Sequence, residues 1–462
     1  MSARFVITTA AAAPTLTPAQ QEWLGRAVLK QKAGWTYLHI EGGPRERGFQ
    51  HGYLLAPQIA ECVRVTRALW HHQSGMEWSW LTAQTAKFIN PEIDPENRAE
   101  IDGIAEGMGA AGVAMTSDEL ITYNANMELC WYWWPKAKDK LADDPGGPGP
   151  KKQSCSSFIA TGHMTADGGI VLGHNTMFDY ARATASVIID IVPARGHRIL
   201  MQTQPGWIHS GTDFFVTDAG IVGSETTIGG FSGFSETGVP EFARMRRATQ
   251  DAGGIDAWCA IMRKGNNGGY ANAWLIGDTK TGEIARLELG LRYVGFERTK
   301  DGYFVGSNIA EDLRILRMET HLDDADIRSS AVGRRVRWKQ LMKENAGKID
   351  LEMAKAMEAD CYDTCLNTVN PGGHSLAGHF ERVDPQMSGK DDPFDPSGTF
   401  DAKVVDTAMA RRMAFDARWG SADGTAFDAD AFLAAHPQYD WLEGLMKSRP
   451  AEPWVEFQAG EK

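Results

Sequence analysis

The chain has 462 residues, of which 43% are hydrophobic and 23% charged, a globular composition rather than that of a disordered chain. A formal charge of −13 argues against a binder of nucleic-acid backbones and against docking on anionic lipid. No run approaches the ~18 apolar residues of a membrane helix, and six cysteines are too few for a disulfide scaffold.

The first residues, MSARFVITTAAAAPTLTPA, carry one Arg and a short apolar patch. Thr8 and Thr9 break that patch, where a secretory signal needs an apolar stretch of ~7–15 residues. The segment therefore reads as an ordinary N-terminus, and a cytoplasmic or an exported destination stays open. Apolar residues then recur at three- and four-residue spacing over 48–69, 97–108 and 117–128, which predicts helices. Ser117 or Asp118 is the expected cap of the last. The cluster Trp131-Tyr132-Trp133-Trp134 reads as core packing, with a pocket wall as the alternative.

Residues 136–154 turn charged and then Pro/Gly-rich, the pattern of an exposed linker, and end directly before Cys155. Beyond it the period becomes strand-like. Strands are expected at 157–161, 169–173, 186–192, 198–203, 214–216 and 221–227, and again at 273–276, 285–289 and 303–305. Helices are expected near 240–264, 330–345, 350–358 and 403–416. This order suits a layered α+β fold. It divides into a mainly helical segment 1–135, the linker 136–154 and a chain 155–462 that holds the sheets. No internal repeat is evident.

Cys155 sits where the linker meets the first strand. An ordinary cysteine there is a small buried hydrophobe. If the Ser154–Cys155 bond is cut, Cys155 gains a free α-amine beside its thiol. An α-amine titrates near ~7.7–8.0 and a thiol near ~8.5, so the amine can serve as a base for the thiol close to neutral pH.

The residues around this point resemble a known family. Cys155-Ser156-Ser157-Phe158 and Gly173-His174-Asn175-Thr176-Met177-Phe178-Asp179-Tyr180 look like the start of the catalytic chain of phospholipase B-like proteins. These are N-terminal-nucleophile (Ntn) hydrolases, relatives of the acyltransferase and choloylglycine-hydrolase group. Pro205-Gly206-Trp207, Asp213-Phe214-Phe215, the run 220–227, Gly268–Trp274 and Asp395–Asp406 resemble further blocks of the family in the same order. Gly34-Trp35 and Arg47–Gly52 resemble its N-terminal part.

The resemblance implies an αββα four-layer sandwich of two antiparallel sheets, preceded by a helical segment. It implies self-cleavage between Ser154 and Cys155, with Cys155 as nucleophile. Asn272 resembles the oxyanion asparagine. Thr227 falls where relatives place a second oxyanion group, with Thr226 a rival by spacing. His174 or Asn175, with Asp179 slightly later, occupies the place of an Asp that holds the new amine in many relatives; His174 is the choice. Arg334, from the run Ser330–Arg337, is the expected arginine near the thiol, and Asn175, Asp179 and Trp207 are the expected substrate contacts.

A rival constellation is Cys361-x3-Cys365 with His374-x4-His379, whose pair spacings suit zinc although the interval between them is short; a disulfide and two unrelated thiols are the other readings. If helical, Cys361 and Cys365 would share a face. His71-His72 reads as surface, and Gly229–Gly233, which lacks the Lys-Ser/Thr of a phosphate loop, as a flexible loop.

The function expected from all this is an autoprocessed cysteine hydrolase of linear amides. Its substrate would be an N-acylated small molecule or lipid held as a thioester on Cys155, with no cofactor, no metal, no nucleic acid, no stable membrane insertion and a homo-oligomer allowed. A lipid-ester hydrolase, an acyltransferase and a non-catalytic binder of the same fold are the alternatives.

Overall fold

The computed structural model describes residues 15–141, 155–183, 185–211, 213–383 and 392–461. Ser154 and most of the expected linker lie outside them.

In chain order the strands begin with β1 (Val28–Lys32), β2 (Trp35–Gly42), β3 (Ser156–Thr161), β4 (Val171–Asp179), β5 (Val187–Pro193), β6 (Ile199–Thr203), β7 (Phe214–Thr217) and β8 (Ile221–Thr227). They continue with β9 (Asn272–Asp278), β10 (Glu283–Leu289), β11 (Val294–Thr299), β12 (Gly302–Gly306), β13 (Tyr362–Asp363), β14 (Thr368–Val369), β15 (Ser397–Asp406), β16 (Ala414–Trp419) and β17 (Val455–Gln458). Nine form one sheet in the order β1-β2-β5-β6-β7-β8-β9-β10-β11, and six form a second in the order β12-β3-β4-β15-β16-β17. β3, β4 and β12 pack face to face on β8, β9 and β10. The helix Ile255–Arg263 lies on the outside of the first sheet, and the helices Ser330–Glu344 and Leu351–Glu358 on the outside of the second. The result is the four-layer αββα sandwich of an α+β protein.

Burial explains the local sequence. Strands β3, β6, β7, β8 and β9 are buried along their whole length, because each lies between the partner sheet and a helical layer, so they read as continuous apolar and small-polar runs rather than as alternating ones. Ser157 Oγ and Ser224 Oγ, on the inner faces, are 2.6 Å apart across the two sheets.

Several sequence expectations are corrected. The segment before 135 is not helical throughout: β1 and β2 form a hairpin at the edge of the first sheet. Its turn, Ala33-Gly34, has φ of 45° and 80°, the left-handed pair a tight hairpin needs. β2 then pairs in parallel with β5, so the first sheet is not wholly antiparallel. The helix expected near 403–416 is instead the end of β15, the short helix Thr407–Arg411 and the start of β16. Residues 136–141, expected as linker, complete the helix Trp134–Leu141. Thr116, not Ser117 or Asp118, caps the helix Ser117–Asn124, in a capping box with Glu119.

The family-like motif Arg47–Gly52 acquires a physical reason. The helices Pro44–Leu54 and Pro95–Ala110 cross at glycines: a Cβ on Gly48 would lie 2.1 Å from the Glu100 carbonyl oxygen, and one on Gly52 2.0 Å from that of Ile104. That close approach buries Arg47 against Glu100, whose carboxylate also receives Arg246. His51 Nε2 accepts from the Gly206 amide at 2.9 Å. Burial pushes the imidazole down to about 4, which keeps that nitrogen an acceptor. Two motifs far apart in sequence are thus one joint.

Candidate active site

The site lies where β3 begins. β3 and β4 pair with Ser157 opposite His174 and Ser156 opposite Asn175, which sets His174 beside the nucleophile candidate. From the other sheet, β8 ends and β9 starts at the same place, with Thr227 opposite Asn272.

Cys155 is 2% exposed, with its backbone at φ 73°. Its thiol donates to Asp213 Oδ2 at 3.8 Å, and the Met177 amide points at the sulfur. The Tyr270 hydroxyl donates to Asp213 Oδ2 at 2.9 Å and lies 3.2 Å from Glu225 Oε2. Arg334 reaches in from the helix Ser330–Glu344. Its Nη1 donates to the Cys155 carbonyl at 2.8 Å, its Nη2 to Asn308 Oδ1 at 2.7 Å and its Nε to Ser330 Oγ at 3.0 Å. Asn308 in turn donates to the Thr227 carbonyl at 2.8 Å.

Four residues of this network, Cys155, Asp213, Tyr270 and Asn308, have φ of 73°, 70°, 51° and 68°. Each non-glycine residue in that region is strained by about 1–3 kcal/mol, and such strain persists where the surroundings enforce it. These four are half of the eight non-glycine residues with positive φ among the described residues.

The electrostatics follow from burial. Desolvation pushes the Cys155 thiol well up, and the charge of Asp213 pushes it further. Burial also raises both carboxyls, Glu225 the more because the charge on Asp213 faces it. Glu225 therefore holds a proton while Asp213, supported by Tyr270 and Lys403, carries the charge. His174 is held well below its ordinary value by burial and by the cation of Lys403, so it is neutral. Its Nε2 sits 3.0 Å from the Glu225 carbonyl oxygen; that nitrogen carries the hydrogen and donates, which leaves Nδ1 as a bare lone pair.

The structure gathers Cys155, His174 and Arg334 and sets Thr227 and Asn272 at the adjoining strand ends. Asn272 is buried with both amide atoms unpartnered. Thr227 shares the Tyr270 side of β8, while Thr226 faces Gly306 of the second sheet. Three expected substrate contacts separate. Asn175 points the other way along β4 and donates to the carbonyls of Glu358 and Leu376. Trp207 is core, between Tyr123 and His209. Asp179, paired with Arg182, lines a cavity of about 380 Å³ together with Phe178, Trp131 and Trp441. Trp131 packs on Tyr270, its ring 6.4 Å away, so the cavity adjoins the site; Tyr132, Trp133 and Trp134 are buried.

Asp213, Glu225, Tyr270 and Asn308 were not singled out by sequence. Asp213 and Tyr270 lie inside blocks that carry the resemblance, but only the fold brings them to one point.

The rival constellation does not assemble. Cys361 and Cys365 remain thiols on a turn beside β13, not on a helix face. Cys361 contacts Asp423, while His374 Nε2 lies on the Arg328 carbonyl and His379 sits between Glu381 and Asp423. His72 is on the surface, as expected, stacked on Trp441 at 3.5 Å. The Gly229–Gly233 loop is tied down, its Gly229 amide on the Asn308 carbonyl and Phe231 buried. Among the described residues no helix is long and apolar enough to cross a membrane.

Comparison with known proteins places these features. The family model described as Phospholipase B matches residues 101–293. An uncharacterized protein of Archaeoglobus fulgidus is 27% identical over 192 residues, 40% of this chain and 31% of that protein. Phospholipase B-like protein C of Dictyostelium discoideum is 29% identical over 177 residues, 35% of this chain and 30% of that protein. The chain thus spans about a third of the length of these relatives. Among solved structures, a conjugated bile acid hydrolase mutant of Clostridium perfringens is 11% identical, covering 57% of this chain and 89% of that one, with a TM-score of 0.35. Over these stretches the chain is similar to the phospholipase B-like proteins.

Proposed function

We propose that the chain is cut between Ser154 and Cys155 and that Cys155 is then the nucleophile of a hydrolase for linear amides. The observation that carries this reading is the strained network around Cys155, in which Asp213 meets the thiol and Arg334 holds the carbonyl. An ordinary buried cysteine needs neither.

In maturation, Sγ attacks the Ser154 carbonyl carbon and its proton passes to Asp213, whose raised affinity suits it as acceptor. The peptide C–N bond breaks, Asp213 passes that proton to the Cys155 nitrogen, which leaves as the amine, and water hydrolyses the thioester. The released α-amine then does for substrate what Asp213 did for the chain. It accepts the thiol proton as Sγ attacks the substrate carbonyl and returns it to the leaving amine. The unpartnered Asn272 amide supplies a donor for the oxyanion. In the cavity, Phe178, Trp131 and Trp441 offer an acyl group apolar surface, beside the charged side chains of Asp179, Arg182, Asp392 and Asp395.

Mass analysis of the purified protein tests the reading. Pieces of 154 and 308 residues are expected from the native sequence, and a single 50.7 kDa chain without activity from Cys155→Ala. Turnover by the alanine variant would end the proposal. Matched amide and ester substrates decide which bond is preferred, since the thioester chemistry serves both.

A further inference from the structure

The sequence calls for no metal, yet the site has the makings of one. Cys155 Sγ, a His174 nitrogen and an Asp213 oxygen all lie within 4.8 Å of one another, on three buried residues. The imidazole of this cluster has a lone pair with nothing to accept: His174 Nδ1 is buried without a hydrogen-bond partner. The His174 and Asp213 side chains are already oriented. His174 Nε2 donates to the Glu225 carbonyl at 3.0 Å, and Asp213 Oδ2, the oxygen that faces the thiol, accepts from Tyr270 at 2.9 Å. Metal-binding histidines and carboxylates are held in this way by outer hydrogen bonds. A buried polar atom without a partner calls for an explanation, and a divalent ion would give His174 Nδ1 one.

We propose that these three side chains bind Zn²⁺ and that the bound ion blocks the thiol. A sulfur, a neutral imidazole nitrogen and a carboxylate oxygen are the donors zinc takes in tetrahedral sites. Bonds of roughly 2.0–2.3 Å draw the atoms slightly closer than they stand. On binding, the Cys155 S–H bond breaks, its proton leaves to solvent and a Zn–S bond forms. Water fills the fourth position in the uncut chain. In the cut chain the α-amine of Cys155 takes it, closing a five-membered ring with its own sulfur. The blocking consequence rests on Cys155 being the nucleophile; the binding itself does not.

Co²⁺ is the probe. Titrated into the full-length protein, it should give a sulfur-to-cobalt charge-transfer band and the visible bands of tetrahedral cobalt, saturating at one ion per chain and displaced by Zn²⁺. Cys155→Ala should abolish the charge-transfer band, and Asp213→Asn and His174→Ala should each weaken binding at least tenfold. Near-ultraviolet circular dichroism on every variant confirms that it is folded, and the near-isosteric Asp213→Asn serves if His174→Ala is not. No band, or a band that survives Cys155→Ala, overturns the metal site. Mass analysis of the same samples separates the two proposals. Cutting without a band sinks the metal site alone, whereas a band in a protein that is never cut sinks the proposed function and leaves the metal site standing.

Discussion

Asn272 shows how one side chain can be judged. A carboxamide at the head of a strand normally pairs with backbone or water, but here both of its polar atoms are buried and unpartnered. Such a donor costs about 1–3 kcal/mol to hold, a cost that the proposed oxyanion role would explain. Asn272→Ala should lower kcat by roughly 10²–10³-fold with little change in KM; a change confined to KM would place the amide in ground-state binding instead. Asp213→Asn keeps the shape of the site and removes the proton acceptor, so maturation, followed by the disappearance of the 50.7 kDa chain, should slow severely. At this scale the sequence was partly legible. Arg334 was picked from a run of three arginines, and helical spacing supports the choice: it lies one turn before the buried Trp338, whereas Arg335 and Arg337 turn outward to Glu311 and Asp360. Backbone φ at Cys155, Asp213 and Tyr270 was not legible, because the surrounding fold imposes it and the side-chain type does not.

Elements were read best where their period was unambiguous. The expected 221–227 strand is β8 to the residue, and the helix near 330–345 is Ser330–Glu344. The failures share a cause. β15 is buried on nearly its whole length between the first sheet and a helical layer, so Val404 and Val405 read with Met409 and Ala410 as a helical stripe; a short apolar run fits either period. The hairpin of β1 and β2 turns on Ala-Gly rather than Asn-Gly, which weakens its signal. The crossing of Pro44–Leu54 with Pro95–Ala110 makes a sharp prediction. Gly52→Ala forces a methyl to 2.0 Å from a carbonyl oxygen and should destabilise by about 1–3 kcal/mol. Gly109→Ala, on the partner helix Pro95–Ala110 with nothing within 4 Å, should be neutral or stabilise by up to ~1 kcal/mol. Urea midpoints of the two variants check the contrast; equal effects would mean that the glycines do not set the approach.

For the whole molecule, stability should depend on pH through His379. Burial alone would lower its pKa, but hydrogen bonds and charge from Asp423 and Glu381 outweigh burial and hold it at about 9. Ser421, 3.3 Å away, faces the same ring, and Glu381 also meets Tyr180 and Arg382. A folded value above the unfolded ~6.5 means that the stabilisation is complete below pH ~6.5 and is lost as pH rises through about 9. Its full size is roughly 3 kcal/mol. Urea midpoints of the native protein should fall across that window while those of His379→Gln stay flatter; parallel slopes would exclude the imidazolium as the source.

The amino-acid sequence by itself determined the layered α+β class, the change from helices to strands after the Pro/Gly-rich stretch, and Cys155 as the residue to watch, because periodicity, turn residues and motif order are local and survive without a fold. Tertiary structure alone decided that Asp213, Glu225 and Tyr270 meet the thiol, that Asn175 and Trp207 do not, and that Cys361 and His379 serve other neighbours. The reason is that strand ends from two sheets and one helix converge at β3, and which side of a strand a residue faces is fixed by pairing partners more than a hundred residues away in the chain.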